Sequence, residues 1–412
     1  MLAATSFAVT AAEISREARS DRRSLHRAYL TRPELMSDPR VASPWQSLYA
    51  SRSDRAFIAT MGLDVSTFDL ILDNGFAERW NTRRIPRLDS DHPRGTAAPR
   101  LSLRSLDTAG GLGLVLHYYN STMVETNLCQ IFALVPSTIT CYIDFAIVIL
   151  LETLRGLPEA TIHWLKGEEF QECNDIVIVR HPHLTGAFGT MDGLNLPVQT
   201  SVDEDIENAT YNGWLHEHFV SLVIAFAATG EIIACQLNAP GSWHDARIAR
   251  PIYDKLETAT PDGYYLVTDT AFPRGTDRIK GKIRALQKSN ERWPRDPAAK
   301  QAAKALDNEL VSFRQSAEWG MRAIQGSFGR LRIPLPIRNN HRRSNLLESC
   351  LRLHQLRTRR VGINQIHSVY VQVWTEDEEQ RRIFADFENM FFRDQKRADR
   401  ISKFYFEERD DK

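Results

Sequence analysis

The sequence is poor in cysteine, in long apolar runs and in net charge. Its five cysteines (Cys129, Cys141, Cys173, Cys235, Cys350) are scattered, odd in number and without a CxxC pair. That argues against a disulfide framework and a thiolate zinc site, and for a reducing compartment. The longest strongly apolar stretch, "FAIVILL" at 145–151, is far short of the roughly 20 residues a bilayer demands. The N-terminal "MLAATSFAVTAA" lacks the basic region of a secretory signal. A soluble, non-secreted protein is expected, with no glycan on the sequons at Asn120 and Asn208. Lys plus Arg (52) equals Asp plus Glu (52), so whole-chain charge points to no polyanion and only its local distribution can. Also missing are a GxSxG elbow and a Cys–His nucleophile motif. "AGGLGLV" at 109–115 lacks the Lys-Ser/Thr ending of a P-loop and reads as a flexible helix entry.

What is present is a globular chain of 412 residues, 42% hydrophobic and 25% charged, long enough for two or three folding units. Residues 13 to 60 mix Arg with Ser, Asp and Pro and show only patches of helical periodicity. From about 64 to 170 the pattern is helical. The period then changes: "GAFGTMDGLNLPV", "HFVSLVIAFAATGEIIACQLNAP" and "YYLVTDTAFP" read as strands, the middle one a hairpin turning near Thr229-Gly230. After about 300 a long helix is marked by Leu306, Leu310, Phe313, Ala317, Met321, Ile324, Phe328 and Leu331 at three- and four-residue spacing.

In the strand, hairpin, helix, strand, long-helix order from 185 to 333, four acids fall at element ends: Asp192, Asp245, Asp269 and Glu318. If the strands form one sheet with Asp192 beside Asp269, all four can converge at one edge. Two like charges about 4 Å apart repel by roughly 4 kcal/mol at an effective dielectric of 20, so such a cluster calls for cations. Oxygen-only ligands select Mg²⁺ or Mn²⁺, and a two-ion site suits phosphodiester cleavage without a protein nucleophile. Each acid also has a plainer explanation. Asp192-Gly193 could be a turn, and Asp269 could end its strand by capping the next segment. Ser242 to Asp245 fits a capping box. Glu318 lies four residues from Arg314 and from Arg322, the spacing of helical salt bridges. Trp319 reads as core packing.

The stretches "GAFGTMDGLNLPVQ", "NAPGSWHDARIA", "YYLVTDTAFPRG" and "AEWGMRAIQGSFGRLRIPLP" resemble the motif blocks of PIF/Harbinger transposases and Harbinger-derived nucleases, particularly fungal members. The third block reads "TDTAFP" where "GDSGYP" is more frequent. The resemblance implies an RNase H-like α/β fold, a mixed sheet flanked by helices behind an all-helical N-terminal domain. It also implies a DNA endonuclease and strand transferase using two divalent ions. Asp192, Asp269 and Glu318 would be its catalytic triad and Asp245 a further metal-associated carboxylate. The expected division is an Arg-rich, partly ordered lead-in at 1–60, a helix-turn-helix-like domain at 61–170, the catalytic domain at 171–365 with a basic insertion at 274–305, and a charged amphipathic helical tail at 366–412.

Basic charge is local. Nine Lys/Arg against three acids run from Arg274 to Lys300, and ten arginines against Glu348 alone from 321 to 360. Two such stretches flanking an acid cluster suit a phosphate backbone. His244, Arg274, Arg314, Arg322, Arg330 and Arg332 are the candidate DNA contacts. The helix-turn-helix-like segment, by contrast, has no Lys or Arg from Asn120 to Leu151 and reads as a packing unit or partner surface rather than a DNA reader. The resemblance implies a separate Myb-like partner that aids DNA recognition and nuclear entry. The tail, with Ile383, Phe384, Phe387, Met390, Phe391 and Phe392 on or near one face, offers a dock for a partner or a second copy. A domesticated, non-catalytic DNA-binding or scaffolding protein with the same fold is the rival expectation.

Overall fold

A computed structural model describes residues 29–86, 98–273, 276–287, 292–362 and 364–370. Helices come first: α1 (Pro44–Ser51), α2 (Asp54–Met61), α3 (Val65–Ile71), α4 (Ala77–Thr82), α5 (Thr108–Asn120), α6 (Glu125–Phe132), α7 (Pro136–Gly156) and α8 (Glu169–Arg180). Several start where the sequence supplies an acceptor for a free backbone N–H: Asp64 accepts from Thr67, and Asp107 from Gly110. The end of the Arg-rich lead-in is therefore ordered, because α1 and α2 contribute Trp45, Phe57 and Met61 to the core.

"AGGLGLV" lies inside α5, and the flexible entry expected there is not found. Its glycines admit two tryptophans: a β-carbon on Gly111 would lie 2.5 Å from the Trp80 ring, and one on Gly113 2.2 Å from the Trp45 ring. Packing gain outweighs the helix propensity lost at each glycine. α6 and α7 follow one another across the short connection 133–135. By length and composition α7 could cross a bilayer, but it is an interior helix packed on α5 and on a late helix, α13 (Asn340–Arg360).

The sheet is built from β1 (Ala187–Pro197), β2 (Tyr211–Asn212), β3 (Glu217–Ala227), β4 (Ile232–Pro240), β5 (Tyr265–Thr268) and β6 (Ile283–Ala285). β3 runs antiparallel to β1 and to β4, whereas β5 and β6 run parallel to β1, in the order β4-β3-β1-β5-β6 with β2 beside the start of β3. An antiparallel meander continued by a parallel pair, with helices packed against it, is an RNase H-like arrangement. α9 (Glu204–Thr210) precedes β2, and α10 (Asp245–Ile248) and α11 (Arg250–Thr258) follow β4; Pro251 opens α11, as its fixed φ favours. α12 (Pro297–Ser327) packs on β1, where the Thr190 and Ser316 hydroxyls meet at 2.9 Å. A short α14 (Gln365–Tyr370) follows α13. The tail expected at 366–412 lies, beyond residue 370, outside the described residues.

Candidate active site

Strand pairing brings the first two acids together. Met191 faces Thr268 across the parallel β1/β5 ladder, so Asp192, still paired to β3, and Asp269, just past the end of β5, follow side by side on strands spaced about 4.8 Å apart. Asp192-Gly193 is not a turn but the middle of an 11-residue strand. Each carboxylate accepts the N–H of the next residue, Asp192 from Gly193 at 2.8 Å and Asp269 from Thr270 at 2.6 Å.

The third acid arrives from a helix start. His244, exposed, is the residue before α10, and Asp245 is the first residue of the helix; no side-chain cap is made there, and Ser242 does not cap it. The capping box is therefore absent, and the Asp245 carboxylate lies against Gly193 instead. A β-carbon on Gly193 would come 2.4 Å from Asp245 Oδ2 and 2.7 Å from Oδ1, so only glycine leaves room for it. Burial pushes the Asp192 carboxyl up to about 6, opposed by the Gly193 N–H and Arg314 and reinforced by the charges of Asp269 and Asp245. Burial also raises Asp245, opposed by His244 and reinforced by Asp269. Three aspartates thus share one electrostatic neighbourhood.

The fourth acid, Glu318, reaches the group from α12, and an arginine lies between. Arg314 Nη2 donates to Glu318 Oε1 at 2.8 Å while Nη1 is 3.5 Å from Asp192 Oδ2. Arg322 stands 3.9 Å from the other Glu318 oxygen. Both salt bridges open to Glu318 from the sequence are formed, and one of them extends to the strand acid. Trp319, half-buried, packs on the core. An all-carboxylate donor set with a cradle kept open by Gly193 fits a hard divalent cation in chemistry. Among the described residues, however, no three acidic, His or Cys side chains are close enough together to hold one.

The candidate DNA contacts are less uniform. Arg274 lies outside the described residues. Arg322 is exposed. Arg330 stacks on the Tyr118 ring at 3.8 Å and donates to the Tyr118 and Met123 carbonyls, and Arg332 donates to the Gln325 and Gly326 carbonyls where α12 ends. Further on, Arg342 pairs with Asp144, Arg352 with Glu348, Arg359 with Glu231 and Arg360 with Glu159. Much of the positive charge of 330–360 is thus engaged inside the protein, since planar guanidinium forks suit carbonyls at helix ends and carboxylates across helices. Sequence reasoning marks Arg314 as a phosphate contact and as a helical partner of Glu318, but misses its reach to Asp192 and the role of Gly193. No sequence spacing signals the first, and the Asp-Gly pair within an apolar strand is the available signal for the second.

No curated protein and no solved structure is significantly similar to the chain. Residues 191–355, the span that carries the four acids, match the family model described as DDE superfamily endonuclease. Those residues carry a PIF/Harbinger-type DDE transposase domain.

Proposed function

We propose that the chain is a divalent-metal-dependent DNA endonuclease and strand transferase. The observation that carries this reading is the parallel β1/β5 pair, which sets Asp192 beside Asp269 with Asp245 and Glu318 at the same edge, within the endonuclease domain. Asp192, Asp269 and Glu318 would hold the Mg²⁺ or Mn²⁺ ions, and Asp245 would support Asp192 from across Gly193. When bound, such ions supply a water or 3′-hydroxyl with nucleophilic character and stabilise the departing oxygen. The protein's part is to fix the four carboxylates on rigid elements and to align the phosphodiester. Arg322, exposed beside Glu318, and the basic insertion ahead of α12 are the groups we assign to the backbone phosphates. Asp192→Asn should abolish Mg²⁺-dependent nicking of terminal-repeat DNA while circular dichroism shows an intact fold; a variant that still cuts at the wild-type rate would sink the assignment.

The spacing of the acids favours one rival, a non-catalytic scaffold that keeps the fold, because Arg314 already pairs with two of them. Thermal stabilisation by Mg²⁺ or Mn²⁺ together with nicking supports the enzyme, and stabilisation without nicking the scaffold. The helical region offers no Lys or Arg from Asn120 to Leu151, so we assign selection of the DNA ends to a separate Myb-like protein that also brings the chain into the nucleus. Tight, sequence-selective DNA binding by the lone chain would count against that partner.

A further inference from the structure

Arg314 occupies an unusual position for a helix-surface arginine. Its two terminal nitrogens reach acids on different elements, Glu318 one turn along α12 and Asp192 in the middle of β1. The side chain is only 21% exposed, and its Nε is buried without a hydrogen-bond partner. The guanidinium is thus placed by the two carboxylates and not by a complete set of bonds to its own nitrogens. The acids it bridges are the pair that would each have to ligate a cation, and they do not form a metal-holding group as they stand.

We propose that Arg314 is a tethered counter-ion that fills the place of divalent metal between Asp192 and Glu318 and must leave for metal to enter. This inference rests on the metal-dependent reading of the site. Its logic is charge. Asp192 feels the like charges of Asp269 and Asp245, and burial disfavours its ionised form. A monovalent guanidinium fork reconciles two of them without any ion from solution. A divalent cation at the same carboxylates repels that guanidinium at contact range, so both cannot be held together. The exchange gates the site: metal binds only as tightly as it outcompetes a cation covalently attached to the same helix. Once released, Arg314 stays within a turn of Glu318 on α12. Lysine is a poor substitute, because a single ammonium point cannot span both acids.

The test is Mn²⁺ binding by the full chain, measured by calorimetry, for wild type, Arg314→Gln and Arg314→Lys. Arg314→Gln should bind about tenfold more tightly than wild type, since no charge-assisted pair has to be broken, with the lysine variant between them. The glutamine variant should also melt at lower temperature without metal and gain more from it. Equal or weaker Mn²⁺ binding by Arg314→Gln, beside measurable binding by wild type, overturns the counter-ion role and leaves the metal site standing. No Mn²⁺ binding by any of the three overturns both. Should the glutamine variant not fold, NMR of the wild-type guanidinium decides. The Arg314 Nε–H should exchange slowly without metal and faster once Mg²⁺ saturates the site, and an unchanged exchange rate refutes the proposal.

Discussion

Asp192 illustrates how one residue can be costly to the fold and useful to the site. Its carboxyl is raised to about 6, chiefly by burial. A group whose pKa is higher in the folded state favours folding below its unfolded value near 4, and that advantage disappears as pH rises through about 6. Asp192→Asn, which removes the titrating carboxyl, should therefore match wild type near pH 4 and exceed it by up to roughly 3 kcal/mol above pH 6 in metal-free buffer. Chemical denaturation at several pH values will show this, and a difference independent of pH would refute it. Gly193 acts through its neighbour. Gly193→Ala should displace the Asp245 carboxylate and weaken Mn²⁺ binding, whereas adding it to Asp245→Ala should do no further harm, because the two changes remove one feature. Fully additive losses would disprove the coupling. Asp245 itself is ambiguous in the sequence. A helix start with Ser three residues before an acid looks the same whether the acid caps or faces outward, and only tertiary packing against Gly193 separates the two.

At the scale of elements, legibility follows length. The stripe through Leu310, Phe313, Ala317, Met321 and Ile324 is buried as its spacing implies, while the helix ends at Ser327, so Phe328 and Leu331 reach the core from outside α12. A hydrophobic stripe records burial and not the helix stop. β6, α9 and β2 are too short to display a period, and no sequence pattern announces them. α5 departs from its expectation for a different reason. Glycine clusters usually signal backbone freedom, but here they record the approach of Trp45 and Trp80. Gly113→Ala should accordingly destabilise the protein by about 2–3 kcal/mol, against the small gain a helix-surface glycine-to-alanine change gives. Urea denaturation distinguishes the two, and a stabilised variant would show that Trp45 does not pack as described.

Across the whole molecule, helical region and sheet share one continuous hydrophobic core, with arginine ties running from α13 to α7 and to the start of β4. The residue order betrays that Asp192 and Asp269 come from neighbouring strands. It cannot betray that most arginines of 330–360 bond to groups of the protein itself, because a guanidinium facing a carbonyl and one facing a phosphate are written with the same letter. Two buried histidines belong to this scale as well. Burial lowers His181 and His354 to about 4, so each contributes stability that is complete above the unfolded value near 6.5 and lost as pH falls through 4. His354→Leu should flatten the acid side of the stability curve by roughly 3 kcal/mol, checked by melting from pH 7 to pH 4, and an unchanged slope would mean that His354 reaches solvent.

The parallel ladder between β1 and β5 has one more consequence. The gap from Asp192 to Asp269 is measured by sheet spacing, so adding residues in the exposed turn at 213–216 lengthens a path without altering a distance. That stretch, with Trp214 almost wholly exposed, is free to be rewritten for new surroundings while the acids keep their spacing, much as a pair of shears can change handles without resetting the blades.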